Sequence, residues 1–160
     1  MVGAALALAA DDDYGYGPPP TTTAPAQTTT TPAAASGPAR SYRATLGTRA
    51  EVPRPNAPAR AAGVFTAKVT ESQGRATIRW TLTFRRLSGA AVAAHIHRGG
   101  AGVAGPVVVA LCGPCRNGQN GRRVVDDELA NRLRTGFYVN VHTAKNPAGE
   151  IRGQLRRVGS

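Results

Sequence analysis

Apolar and polar residues alternate with a period of two along most of the chain beyond residue 41, the pattern of strands with one buried and one wet side. Over residues 42–46, Tyr42, Ala44 and Leu46 share a face opposite Arg43 and Thr45. Over 63–70, Phe65, Ala67 and Val69 oppose Thr66, Lys68 and Thr70. The longest run, 75–84, sets Ala76, Ile78, Trp80, Leu82 and Phe84 inside and arginines and threonines outside. Glu71-Ser72-Gln73-Gly74 is short enough for a hairpin loop, so the last two of these strands are expected to pair antiparallel. Further strands are expected over 91–97, 106–111, 136–143 and 150–157, the final two joined by the turn-forming residues 144–149. Residues 125–134 are the one helical candidate, with Asp126 placed to cap and Leu129 and Leu133 on one face. About seven short strands separated by turns predict an all-β fold, an antiparallel β-sandwich or barrel with one short helix.

The first 40 residues read differently. Residues 1–10, MVGAALALAA, are a short apolar run ending in small residues, as at a signal-peptide cleavage site, but without a basic start. With Asp11 to Asp13 they are expected to be a truncated signal peptide and acidic start, 1–13. The run is too short to span a bilayer, and no transmembrane segment is expected. Residues 14–40 are rich in Thr, Pro and Ala, with almost nothing large and apolar to bury, and read as a disordered tether. That leaves 41–160 as the folded domain of a secreted or cell-surface protein.

Charge narrows the partners without naming one. The formal net charge is +11, and the first 40 residues contribute three aspartates against one arginine, which leaves about +13 on the domain. Such a surface favours anionic extracellular or cell-wall polymers. The arginines are scattered and match no nucleic-acid-binding motif, so specific nucleic acid is not expected. Cys112-Gly113-Pro114-Cys115 has the letters of a thioredoxin-type motif. Residues 116–121 after it are turn formers, however, not the helix start that would lower a thiol pKa, and a loop-closing disulfide is the expectation.

All three histidines lie opposite the apolar side of their strands. Val92, Ala94 and Ile96 oppose His95 and His97, and Phe137, Val139 and Val141 oppose Tyr138, Asn140 and His142. Alternation sets His95 and His97 about 7 Å apart at Cα. A third imidazole from another strand would complete a three-histidine site for zinc or copper. The competing reading is that these rings hydrogen-bond to backbone or to carboxylates such as Glu150. Tyr138, Asn140, Glu150, Arg152 and Gln154, with His142, form a polar stripe that is a candidate binding surface or a buried network, with a plain solvated sheet face as the simpler alternative. No catalytic residue is identified.

Leu46-Gly47 with Glu51-Val52-Pro53, then Ala94-His95-Ile96-His97, Gly105-Pro106-Val107-Val108, and the blocks 136–143 and 146–155 together resemble the CHRD (chordin) domain family. The resemblance implies an immunoglobulin-like β-sandwich in an extracellular setting and carries no activity to a catalytic residue. The expected function is an exported, non-catalytic binding or matrix module. The alternative is a copper- or zinc-binding β-sandwich using His95, His97 and His142, redox-active in the manner of dismutase-like sandwiches. A thiol–disulfide enzyme rests on the cysteine motif alone.

Overall fold

The computed structural model describes residues 37–159. The signal-like start and the tether as far as residue 36 lie outside the described residues. The chain forms β1 (Arg40–Gly47), a 3-10 turn (Thr48–Ala50), β2 (Ala62–Ser72), β3 (Arg75–Arg85), β4 (Ala91–Arg98) and β5 (Val107–Cys112). It continues through β6 (Gln119–Asp126), the helix α1 (Asp127–Arg132), β7 (Phe137–Thr143), β8 (Ile151–Gln154) and β9 (Arg156–Val158). The fold is all-β, as the alternation predicts. All nine strands join one antiparallel sheet in the order β5-β4-β7-β8-β1-β2-β3-β6, with β9 also on β1. The sheet curls towards a barrel around the expected inner faces. Phe65, Ile78, Trp80 and Leu82 from β2 and β3 meet Ile96, Val139 and Val141 from the other side.

The β2–β3 hairpin forms with Ser72 opposite Arg75, and Gln73 and Gly74 between them take φ values of 52° and 73°. Two positive-φ residues are what a two-residue turn matching the strand twist requires. The expected loop over 116–121 is instead partly strand, since β6 pairs with β3 from Asp126 to Gln119. Its irregular sequence has a packing cause. A Cβ on Gly121 would lie 2.5 Å from Cζ2 of Trp80, so the residue opposite the indole has to be glycine. The helix is shorter than expected, and Asp126 occupies the N-cap position without a side-chain capping bond. On β4, a register shift between Ala91 and Ala93 turns Val92 outward, 44% exposed, while Ala91 is buried. The expected last strand divides at Leu155, whose N–H donates to Phe137 O, so β8 serves β7 and β9 serves β1.

The two ends of the sheet, β5 and β6, are joined by a side chain. Arg123 donates from Nε to Ala110 O and from Nη2 to Leu111 O, each at 2.6 Å. The guanidinium takes the place of a main-chain ladder on that side of β5. Charge-assisted hydrogen bonds of this kind contribute about 1.5–3 kcal/mol each when buried and less in water. Arg123→Ala is therefore expected to lower unfolding free energy by about 1–2 kcal/mol and, by baring the β5 edge, to promote self-association. Urea denaturation with light scattering reads both, and wild-type values for the variant would show that the guanidinium does not hold the edges together.

Candidate metal centre

β4 and β7 are neighbours, with His95 opposite Asn140, His97 opposite Tyr138, and His142 opposite Ala93. His142 is thus a diagonal neighbour of His95. The three rings converge, and one ligand nitrogen from each lies within 4.8 Å of the others. His142 Nδ1–H donates to Pro147 O at 2.9 Å, which leaves its Nε2 as a lone pair. His95 Nδ1–H fills that lone pair at 3.1 Å. His97 Nδ1–H donates to Gly105 O at 2.8 Å, and its Nε2 is buried with no partner. None of the three is held by Glu150.

Both backbone carbonyls thereby fix tautomer and ring orientation, the arrangement that outer hydrogen bonds supply around metal-bound histidines. A tetrahedral ion at about 2.0–2.1 Å from each nitrogen sets those nitrogens roughly 3.3 Å apart. The 3.1 Å pair is near that spacing already, and the His97 ring needs only a small movement to join it. Protonation does not compete strongly. Burial, reinforced by the charges of His142 and His97, lowers the pKa of His95 from 6.5 to about 4. Burial also lowers that of His142, against the opposing hydrogen bond to Pro147. His95 is only half-buried, which leaves one approach open to solvent.

The polar stripe beside the histidines does not face water. Tyr138, Asn140, Glu150 and Arg152 are each at most 2% exposed, and Gln154 is half-buried. Of the readings of this stripe, the burial supports an internal network over a solvated face or a surface for a macromolecule. Segments 48–56, 99–106 and 144–149 roof it. Arg152 Nη2 donates to Gly100 O and Val103 O, and its guanidinium lies 3.4 Å from the centroid of the Tyr138 ring. Tyr138 in turn stacks on His97, with centroids 4.8 Å apart and planes 13° from parallel. Since β4 and β8 flank β7, the phenol ring is held between the cation and the imidazole.

Glu150 anchors the turn that carries Pro147. Burial alone would raise its pKa, but hydrogen bonds from the Ser88 hydroxyl, Thr143, the Ser88 N–H and Asn146 outweigh burial and lower it. Glu51 is the reverse case. Its burial outweighs the Val52 N–H, the Arg152 charge and Asn140, and raises its pKa. Gly149, at φ +136°, lies against that carboxyl, and a Cβ there would meet Glu51 Oε2 at 2.4 Å. The carbonyls of Gly105 and Pro147, and Glu51 beneath the turn, were not expected as parts of this region. Their signals in the sequence are the glycine- and proline-rich composition of the roofing loops and the place of Glu51, Gly105 and Pro147 in the segments that carry the family resemblance.

Cys112 and Cys115 are bonded and buried, and no helix begins at either of them. The pair therefore lacks the helix-dipole setting of a reactive thiol. The CHRD domain profile matches residues 42–155. The chain belongs to the CHRD family. No curated protein and no solved structure matches it. The segments that gave the resemblance supply much of the region just described: His95 and His97, Gly105, Tyr138 to His142, and Pro147 to Arg152.

The lowered pKa values of this CHRD domain fix a direction for its acid response. A histidine whose folded pKa lies below its unfolded value stabilises above about pH 6.5, and that contribution is lost as pH falls towards the folded value. Glu150 acts in the same direction at lower pH, whereas Glu51, with a raised pKa, stabilises at low pH and loses its contribution as pH rises. The metal-free protein, kept in chelator, is expected to lose melting temperature steadily between pH 6.5 and 4. His95→Gln should flatten that slope, and an unaltered slope in the variant would count against neutral burial of His95.

Proposed function

We propose that this CHRD domain is an exported, non-catalytic binding module whose own ligand is one copper or zinc ion held by His95, His97 and His142. The observation that carries the reading is the buried Nε2 of His97, which has no partner, on a ring in a cluster that brings one nitrogen of each histidine within 4.8 Å of the others. Leaving such a nitrogen unsatisfied is costly, and an ion is the partner that two further neutral imidazoles can share. Three imidazoles without thiolate or carboxylate suit zinc and copper alike. Export is supported by the family, whose members are extracellular binding modules, and by the disulfide. No helix among the described residues is long and apolar enough to cross a membrane.

In this reading the ion cross-links β4 to β7 and stabilises the fold through binding. At a hundredfold excess over its dissociation constant, the ion adds about 2.7 kcal/mol to unfolding free energy. One equivalent of Zn²⁺ or Cu²⁺ should therefore survive desalting and raise the melting temperature by several degrees. His97→Ala and His142→Ala should each weaken binding by more than the roughly 10–100-fold typical of losing an outer hydrogen-bond partner. Nitrogen hyperfine structure in the Cu²⁺ spectrum reports imidazole ligation directly. Sub-stoichiometric metal with no thermal shift would rule the centre out.

A further inference from the structure

The outer face of β9, β1, β2, β3 and β6, on the far strands of the sheet from the histidines, carries a different chemistry. Register places Lys68, Arg79 and Arg122 directly opposite one another across β2, β3 and β6. Two residues along, Arg156 faces Arg43 across β9 and β1, and the same row continues through Thr66, Thr81 and Asn120. All five cations are exposed. Strand spacing sets neighbours in a row about 5 Å apart, and the two rows lie about 7 Å apart along the strands. A shallow depression runs over these rows, with Ser41, Arg43, Thr66, Lys68 and Arg79 among its walls.

Like charges directly opposite across strands destabilise a sheet. Among the described residues no carboxylate pairs with these cations. Among the described residues Glu51 and Glu150 are buried, Glu71 pairs with Arg40, and Asp126, Asp127 and Glu128 cluster at the start of the helix. The ion pairs among the described residues involve Arg40, Arg75 and Arg132, none of the five face cations. A row of unrelieved repulsion is a local cost to the fold, and such costs concentrate where a ligand relieves them.

We infer that this face is a docking surface for an acidic polysaccharide, a linear chain bearing carboxylate or sulfate groups. Arginines supply forked donors for those anions, and the Ser41, Thr66, Thr81 and Asn120 side chains lying among them supply donors and acceptors for sugar hydroxyls. The observations favour this partner over other polyanions. Tyr42 and Trp80 of these strands point inward and are buried, so no aromatic side chain is offered for stacking on bases. Val124 and Val158 are the exposed large apolar side chains of these strands, two separate residues and not the continuous apolar face that inserts into a bilayer interface. The inference is independent of the metal reading, since no histidine lies on these strands.

The test compares two triple variants of the full chain that have the same net charge. Lys68→Gln, Arg79→Gln and Arg122→Gln together neutralise the face; Arg49→Gln, Arg60→Gln and Arg86→Gln neutralise exposed arginines elsewhere. Each is titrated with heparin and with polygalacturonate, and in parallel with single-stranded DNA and anionic phospholipid vesicles. The face variant is expected to bind polysaccharide more than about tenfold more weakly, with a shallower salt dependence, and the control within about twofold of wild type. Its melting temperature should equal or exceed that of the wild type, because repulsion has been removed. Equal losses in both variants would overturn the inference by showing bulk charge alone. Tighter binding of wild type to DNA or vesicles than to either polysaccharide would overturn the choice of partner.

Discussion

β7 is buried on both of its faces, yet one of them carries Tyr138, Asn140 and His142, and much of the domain follows from that constraint. Buried polar groups must find hydrogen-bond partners, and a sheet face cannot supply them from its own ladder. Loops do so here. Gly105 and Pro147 present carbonyls to His97 and His142, while Ser88 and Asn146 close on Glu150 and hold the turn in position. The roof takes His142 and part of His95 out of water, and that burial lowers the pKa of both rings. Packing, hydrogen bonding and histidine chemistry are thus consequences of one covered strand.

The sheet is consequently two-sided in chemistry as well as in position. Around β4, β7 and β8 the polar outer residues are enclosed, and their charges are muted or internally opposed. Around β9, β1, β2, β3 and β6 the outer residues stand in water, and apart from Asp126 at the end of β6 the charged ones in the two rows are cations. The ion proposed above belongs to the first environment and the proposed polysaccharide to the second. The strand order separates the two, with β4 and β7 on one side of β8 and β1, β2, β3 and β6 on the other.

Much of this was legible in the sequence wherever alternation was clean. β1, β2, β3 and β7 fall where the period of two places them, and their inner residues are the core. The three histidines follow from the same parity, and adjacency of β4 and β7 brings them together, which no local pattern encodes. β6 was hidden because Gly121 yields its side-chain space to Trp80 and because Arg122 and Arg123 occupy successive positions with opposite duties. The Val92 side chain was misplaced by a register shift that parity cannot anticipate. Burial of Tyr138, Asn140, Glu150 and Arg152 depends on loops distant in sequence, so a polar stripe on a strand reads as wet until the chain has folded over it.

The guanidinium of Arg123 gives the cylinder a clasp in place of a weld. Elsewhere in the sheet, neighbouring strands are sewn together by main-chain bonds that depend on no particular side chain. At the clasp, cohesion belongs to a single residue and to two carbonyls that water can also serve. The described domain is therefore a rolled ribbon whose curvature goes with the twist of its ladders and whose edges are fastened by one side chain. Unrolling can begin at that fastening while every rung of the ribbon is still in place.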